Sequence, residues 1–260
     1  MFRSLAPGRP AALALSLAVP LCLLVAWFFA TSIGGVKSYQ FASPADIGRE
    51  LAALWSNGLL WRHLAASIER VLLGFGFALA FAIALATIVG LSRPVEATLE
   101  PTLQMIRSIP SLAWVPLLLL WLGIGENAKI TLIAIGAFFP IYVNLVSGIH
   151  NVDRKLVEVG QVLGLGRLAL AWRVILPAAL PSLLVGARIG LTQAWLFLVA
   201  AELLASTRGL GFMLTEGQQI SRTDEIITAI LLLALCGKFS ESIMRAVEKR
   251  LLHWTDGLPA

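Results

Sequence analysis

Residues 158–177 read EVGQVLGLGRLALAWRVILP and form a polar, arginine-containing interruption in a chain that is otherwise largely apolar. Asp153–Val162 can form one short helix, Gly164–Gly166 a break, and Leu168–Ile175 a second helix. Pro177 then lets the chain turn into the next apolar segment. The sequence therefore predicts a helix–break–helix loop between two long apolar helices.

The composition of the chain indicates a membrane protein. Of its 260 residues 58% are hydrophobic and 13% are charged, and the mean hydropathy is +0.85. Soluble domains carry about 25% charged residues. Because the apolar residues lie in long blocks, lipid is the expected solvent of the fold. The net charge of +5 does not indicate nucleic-acid binding, since the basic residues flank apolar blocks as membrane orientation signals do.

The apolar blocks predict an all-α membrane protein with six transmembrane helices. A spanning helix needs about 20 apolar residues. The predicted helices cover residues 11–30, 64–91, 106–122, 130–149, 183–204 and 226–244. They define a transmembrane domain over residues 11–250, with a loop at 150–180 and short tails at 1–10 and 251–260.

Two of these six segments depend on further arguments. The run at 11–30 is longer than the usual core of a signal peptide and is followed by a poor cleavage site, so an uncleaved helix is expected instead. The apolar core Leu112–Leu122 is short, with Pro110 before it and Pro116 inside it, and covers about half a bilayer. We predict that this segment begins at Ile106 and crosses the membrane. The reason is that both termini are predicted on the same side, as the basic residues below indicate, and this requires an even number of helices.

The basic residues at the two ends place both termini in the cytoplasm. Arg3 and Arg9 precede the first predicted helix, and Arg245, Lys249 and Arg250 follow the last. Loops on the cytoplasmic side carry an excess of such residues. The same topology puts the loop at 158–177 inside the cell. It makes residues 31–62 and 206–224 external loops, the first with a short interfacial helix at Asp46–Leu54.

Four polar residues within the predicted helices are candidates for a solute pathway or a gate: Arg188, Glu202, Asn144 and Gln193. Charged groups in lipid are costly and usually face the protein interior. Arg188 can attract an anionic solute or pair with an acid that gates it. The alternative for Arg188 and Glu202 is a structural ion pair, or a side chain that extends to the membrane interface.

The sequence contains no pattern of a catalytic, cofactor or metal site. The two cysteines and three histidines are scattered, without a neighbouring ligand at metal spacing: Cys22, Cys236, His63, His150 and His253. There is no G-x-x-x-x-G-K-[ST], G-x-S-x-G or H-E-x-x-H motif. The chain is therefore predicted not to be an enzyme and to need no cofactor. If ATP drives it, a separate chain must bind the ATP.

Small residues recur at helix-packing spacing. Gly186 and Gly190 form a G-x-x-x-G pattern, and Gly74 and Gly76 lie in another predicted helix. Such glycines permit close contact between membrane helices. The contact can lie within the chain or between two copies, and the pattern does not distinguish the two.

The spacing of the loop resembles the "EAA" loop of ABC-importer permeases. That pattern is Glu-Ala-Ala, three residues, Gly, nine residues, Ile, one residue, Leu-Pro. Glu158, Gly164, Leu176 and Pro177 fall on it without a gap. This chain departs from the pattern in having Val159-Gly160 for Ala-Ala and Val174 for Ile.

Further stretches resemble permeases of the aliphatic sulfonate, taurine and nitrate group. They are LQMIRSIP at 103–110, WLGIGENAKI at 121–130, FFPIYVN at 138–144, LPAALPSLLVGAR at 176–188, Ala201-Glu202 and Gly209-Leu-Gly211. The segment IGENAKI makes the likeness to aliphatic sulfonate permeases the strongest. Taurine, nitrate or another small solute remains an alternative.

The resemblance implies a type I ABC-importer permease fold with a cytoplasmic coupling helix. The ATPase-coupling residues would be Glu158, Val159, Gly160, Gly164, Leu176 and Pro177. The expected partners are two copies of an ATP-binding subunit, an extracytoplasmic sulfonate-binding protein and a second copy of this chain. The expected location is a bacterial inner membrane, and the expected role is the supply of sulfur. A self-contained channel or ion-coupled carrier, or a membrane anchor, is the competing interpretation.

Overall fold

The computed structural model describes residues 9–32 and 41–253, and every regular element in these two ranges is helical. The α-helices are α1 (Arg9–Ser32), α2 (Pro44–Ser56), α3 (Leu59–Leu91), α4 (Arg93–Ser108), α5 (Val115–Leu122), α6 (Glu126–His150), α7 (Arg154–Val162), α8 (Arg167–Leu170), α9 (Leu176–Ala205), α10 (Leu210–Gln219) and α11 (Thr223–Leu251). A 3₁₀ turn, Ser111–Trp114, precedes α5, and a π-helical turn, Ala171–Ile175, precedes α9. Most of the predicted tails at 1–10 and 251–260 lies outside the described residues.

Four helical segments of the described chain are long and apolar enough to cross a membrane: α3, α6, the continuous stretch Arg167–Leu204 that contains α9, and α11. A fifth is reached if α4 and the segment Ser111–Leu122 together make one broken span. In α1, the part Ala18–Thr31 is apolar but shorter. The structure therefore shows four to five apolar spans, and the count of six stays a prediction.

The helix predicted over residues 106–122 is not continuous, and that prediction is wrong in form. α4 ends at Ser108, and the chain bends by 87° before the segment that contains α5. Ile109 is extended, with ψ 125°, because Pro110 disfavours the helical conformation of the residue before it. Pro110 also lacks the N–H that a continuing helix requires. Two further helices, α4 from Arg93 and α10 in the predicted loop 206–224, were not foreseen.

The chain divides into two compact units, of which the smaller comprises residues 1–60 and 213–230. Among its described residues, Ser43 and Asp46 cap α2 reciprocally, so the short helix predicted at Asp46–Leu54 is present as Pro44–Ser56. Its place at a membrane interface stays a prediction. Hydrogen bonds from Ser43 lower the pKa of the Asp46 carboxyl. At the start of α11, Arg222 forms ion pairs with Glu50 and Asp224. These ion pairs connect α2 to the junction between α10 and α11.

The larger unit comprises residues 61–212 and 231–260, and α6 lies at its centre. In the apolar 18-residue stretch of each helix, 56% of α6 is buried inside the protein, whereas 28% of α3 and 17% of α11 are buried. The exposed sides of the outer helices are apolar, as expected of lipid-facing surface. α6 packs most extensively on α9, and the buried side chains include Ile133, Ile141 and Leu198.

The G-x-x-x-G pattern of α9 lies at this contact. A Cβ added to Gly186 would come within 2.7 Å of the Asn144 Cβ, and one added to Gly190 within 2.9 Å of the Ala137 carbonyl oxygen. In α6, a Cβ added to Gly136 would overlap the ring of Phe197. The glycines therefore serve packing within the chain.

We predict that Gly190→Ala lowers the thermal stability of the purified protein, because its methyl group would meet backbone that cannot move aside. Gly237→Ala in α11 is the matched control, since a Cβ there has nothing within 4 Å. That control should raise stability by up to about 1 kcal/mol through helix propensity. Thermal unfolding in detergent measures both, and equal shifts in one direction would contradict the packing role of Gly190.

Candidate functional site

The loop between α6 and α9 has the predicted helix–break–helix form. Asp153 caps α7, its carboxylate accepting a hydrogen bond from the Lys155 N–H at 2.9 Å. Gly164 ends α7 with φ +74°, a conformation that glycine adopts without strain. The Gly164 N–H donates to the Gln161 carbonyl at 2.9 Å, and the Leu165 N–H donates to the Gly160 carbonyl at 3.1 Å. This pair of bonds is the Schellman motif, and it fixes the direction of the chain that follows.

The packing around Gly160 accounts for glycine in place of the second alanine of the "EAA" pattern. It is the buried residue of α7, and a Cβ built on it would lie 2.5 Å from the Leu170 Cδ1. The chain folds α8 back over α7 at this point, so a side chain larger than hydrogen would force Leu170 to move. Glycine at this position therefore permits the tight packing of the two halves of the loop.

The outer surface of the loop is apolar and exposed. Val159 is 58% exposed, Val162 88%, and Leu163 and Leu168 are each 74% exposed. We call these four residues the loop face. Glu158 lies beside them and accepts a hydrogen bond from the Arg154 guanidinium at 2.9 Å. An exposed cluster of large apolar side chains on a polar segment is typical of a surface that binds another protein.

Leu176 and Pro177 join the loop to the membrane helix. Pro177 lies at the start of α9, directly after the π-helical turn Ala171–Ile175. This π-helical turn leads directly into α9, so helical structure continues from Arg167 to Leu204. Helical backbone therefore connects α8 to α9 without an intervening loop.

Glu202, a pathway candidate from the sequence, lies in a buried charge network near the end of α9. Its side chain is fully buried and accepts hydrogen bonds from Arg70 at 2.6 Å, from Ser67 at 2.8 Å and from the Gly211 N–H at 2.7 Å. Arg70 is 2% exposed and also makes two bonds to Glu126, at 2.6 and 2.7 Å. We call Arg70, Glu126 and Glu202 the ionic cluster. Its geometry favours the structural alternative for Glu202.

The ionic cluster also positions the segment that follows α9. Arg70 donates to the Arg208 carbonyl at 2.7 Å, and the Leu210 N–H donates to the Ser67 hydroxyl at 2.8 Å. Gly209 has φ +125°, and a Cβ on it would overlap the Glu202 carboxylate. The segment needs glycine here because the backbone passes directly over the buried charge.

No pattern in the sequence predicts that these three residues form an ionic cluster. Both acids stood in stretches that resembled the permease group, but Arg70 is separated along the chain from Glu126 by 56 residues and from Glu202 by 132. Nothing in the local pattern pairs residues at such distances. The available signal was the cost of an arginine in an apolar block, which demands an acidic partner without naming one.

The remaining pathway candidates fall into two places. Arg188 approaches Glu248 at 3.4 Å and lines a cavity with Lys238 and Glu241. Asn144 and Gln193 line another cavity, of about 400 Å³, between α6 and α9. Within residues 9–32 and 41–253, no group of three His, Cys, Asp or Glu side chains has the arrangement of a metal site.

Comparisons with known proteins identify relatives of the whole chain. Residues 51–253 match the family described as "Binding-protein-dependent transport system inner membrane component". The chain is 40% identical to the "Putative aliphatic sulfonates transport permease protein SsuC" of Bacillus subtilis (strain 168), covering 92% of this chain and 86% of that protein. It is 36% identical to the "Taurine transport system permease protein TauC" of Escherichia coli (strain K12), covering 92% of this chain and 89% of that protein.

A solved structure shares the fold. The inward-facing MetNI methionine ABC transporter superposes with a TM-score of 0.65, covering 74% of this chain and 96% of that chain. The sequence identity is 20%, so this likeness concerns the arrangement of helices alone.

The ionic cluster leads to a stability prediction. Glu202→Gln should lower the free energy of unfolding by about 3–5 kcal/mol, because it removes one partner of a buried ion pair and turns an amide N–H₂ toward other donors. Glu126→Gln should cost less, since the Glu126 side chain is 43% exposed and water can replace it. Thermal or denaturant unfolding in detergent gives the comparison. A smaller effect at Glu202 than at Glu126 would mean that burial does not govern this cluster.

Proposed function

The chain belongs to the binding-protein-dependent transport system inner membrane components, and from this membership we propose that it carries aliphatic sulfonates into the bacterial cell. As a member of that family it is an inner-membrane permease subunit of an ABC importer and not itself an enzyme. Importers of this class work with an ATPase and a substrate-binding protein. The proposal concerns the solute, the coupling residues and the assembly.

The observation that carries the choice of solute is the 40% identity to an aliphatic sulfonate permease over 92% of this chain. The identity to a taurine permease, 36%, is nearly as high. Taurine is itself an aminoalkanesulfonate, so both relatives have a sulfonate group in their named solutes. Alkanesulfonates are the proposed solutes, to be used for sulfur supply, and taurine and nitrate are the alternatives.

We propose that the loop between α6 and α9 is the coupling loop, with Glu158, Val159, Gly160, Gly164, Leu176 and Pro177 as its defining residues. The exposed loop face supports this role, because four large apolar side chains stand on a short segment with fixed geometry. A cleft on the ATPase subunit is the proposed binding partner of that face. Closure of the ATPases on binding ATP would displace the loop and, through Pro177, the base of α9.

The proposed assembly contains two copies of this chain, two ATPase subunits in the cytoplasm and a sulfonate-binding protein on the opposite face. We propose six spans, with both termini in the cytoplasm. α1 supports this count, since its 24 residues extend about 36 Å and its apolar side chains between Val19 and Phe29 are exposed. The broken α4–α5 segment would supply the remaining crossing.

The competing functions, a channel or ion-coupled carrier and a membrane anchor, predict different results in a transport assay. A channel or ion-coupled carrier would transport solute without any ATPase, and an anchor protein would transport nothing. Neither of these functions gives the exposed loop face a role, whereas in an ABC importer it would bind the ATPase subunit. Dependence of uptake on ATP hydrolysis separates the three.

The solute is tested with the permease reconstituted in liposomes with its ATPase and binding protein. Alkanesulfonates should stimulate ATP hydrolysis and be taken up, with taurine weaker and nitrate inactive. The measurements are phosphate release and uptake of labelled solute over the same time course. Stimulation by nitrate alone would overturn the choice of solute while leaving the importer class intact.

The coupling loop is tested with Val162→Asp, which places a charge on the most exposed side chain of the loop face. We expect loss of solute-stimulated ATP hydrolysis and of uptake by tenfold or more, because an apolar contact with the ATPase would be replaced by a buried unpaired charge. Ile124→Asp is the control, since Ile124 is 82% exposed but lies in the turn between α5 and α6.

Two further variants separate surface from geometry. Glu158→Lys should also uncouple hydrolysis from uptake without removing the protein from the membrane. Gly164→Pro should do so by a different route, because proline cannot adopt φ +74° and the direction of α8 would change. Unchanged uptake in all three loop variants would exclude the coupling assignment.

A further inference from the structure

A cavity of about 400 Å³ is lined by the end of α4, the 3₁₀ turn after it, and the facing sides of α6 and α9. Its polar lining consists of Arg107, Ser111, Asn144 and Gln193. Apolar residues such as Phe139 and Ile189 complete the wall. A cavity of this size whose wall combines a few polar groups with apolar side chains is typical of a small-molecule site.

The break between α4 and α5 lies at this cavity. Arg107 and Ser111 flank Ile109 and Pro110, where the backbone leaves the helical conformation. Non-helical backbone at membrane depth is tolerated where it is buried in protein or lines a water-filled cavity. A break at this position fits a cavity that water or a polar solute can enter.

Arg107 lines the cavity with an exposed side chain that has no acidic partner in the described part of the chain. No carboxylate within the described residues forms a salt bridge with it, and none of the residues that line the cavity is acidic. In the cavity beside α11, by contrast, Lys238 approaches Glu241 at 3.5 Å and Arg188 approaches Glu248 at 3.4 Å. An exposed guanidinium with no carboxylate beside it can bind an anion that enters the cavity.

The packing of α6 on α9 positions the neutral polar groups. Gly186, Gly190 and Gln193 follow one face of α9 at helical spacing, and the two glycines bring that face against α6. Asn144 donates one N–H to the Pro140 carbonyl at 2.8 Å, which restricts its side chain. Gln193 has no hydrogen-bond partner within the described residues, so its amide is available to a ligand.

We propose that this cavity is the subsite of the permease that binds the sulfonate head group during translocation. The inference rests on the proposed sulfonate function. The Arg107 guanidinium supplies the charge and paired N–H donors, and the Ser111 hydroxyl and the Gln193 amide donate neutral hydrogen bonds. Asn144 is a positioning residue, and the apolar wall receives the alkyl chain. Of the four pathway candidates in the sequence, only Asn144 and Gln193 belong to this site.

The test uses a thiol placed in the cavity, because its readout does not depend on uptake. Gln193→Cys is made in a Cys22→Ala, Cys236→Ala background, and the permease–ATPase complex is held in nanodiscs of zwitterionic lipid. The thiol is treated with methanethiosulfonate reagents carrying a 2-sulfonatoethyl or a 2-trimethylammonioethyl group. We expect the ratio of reaction rates, sulfonate reagent over ammonium reagent, to be higher for this thiol than for a free thiol in solution. Alkanesulfonates should slow the reaction of the sulfonate reagent.

Arg107→Gln should lower the preference for the anionic reagent by roughly tenfold and abolish protection by alkanesulfonates. Arg93→Gln, at the other end of α4, is the charge-matched control and should change neither. No preference for the anionic reagent, or equal effects of the two substitutions, would overturn the subsite. An anionic lipid head group shares the chemistry of the ligand. If only vesicle-derived anionic lipid protects the thiol and alkanesulfonates do not, the subsite is a lipid site and the proposal is wrong.

Uptake assays distinguish failure of the subsite from failure of the proposed function. If the wild-type complex imports alkanesulfonates and Arg107→Gln imports them with unchanged KM and rate, the subsite is wrong and the function stands. If the wild type imports a different anion and Arg107→Gln abolishes that import, the sulfonate assignment is wrong. The cavity would then remain an anion site.

Discussion

The close contact of α6 with α9 is the constraint on which the rest of the larger unit depends. Lipid provides no hydrophobic driving force between helices, so the contact must come from close packing. Gly136, Gly186 and Gly190 remove the side chains that would hold the two backbones apart. With this contact in place, groups at both ends and in the middle of α9 acquire fixed neighbours on α6.

α9 connects the proposed coupling loop, the polar cavity and the ionic cluster along one continuous helix. Pro177 at its base joins it to the proposed coupling loop, Gln193 near its middle lines the polar cavity, and Glu202 near its far end lies in the ionic cluster. Pro177 and Glu202 are separated by about 37 Å at the rise of an α-helix. Helical backbone therefore connects the loop to the cavity and the cluster, with Pro181 as a residue inside α9 that donates no backbone hydrogen bond. The proposed transport cycle requires a connection of this kind.

The ionic cluster and the polar cavity contrast in how they treat charge. In the cluster, Arg70 is buried between two carboxylates and holds the backbone at residues 208–211, which is a structural use of an ion pair. In the cavity, Arg107 is left without an acid and faces a space large enough for a solute. The difference assigns stability to one arginine and proposed recognition to the other, although both were merely basic residues near apolar blocks in the sequence.

The sequence by itself determined the helical class, most of the long apolar helices and the helix–break–helix form of the loop between α6 and α9. These depend on local properties: block length, the left-handed conformation at Gly164, and the missing N–H of Pro177. Pro110 is also a local signal for the break between α4 and α5. A continuous helix was nevertheless predicted there, because two termini on one side of the membrane require an even number of crossings. Only the tertiary structure decided that Arg70 binds Glu126 and Glu202, and that Arg107 shares a cavity with Asn144 and Gln193. The physical reason is that the partner of a charge is set by position in space, and residues more than 30 positions apart are brought together only by the packing of α3, α4, α6 and α9.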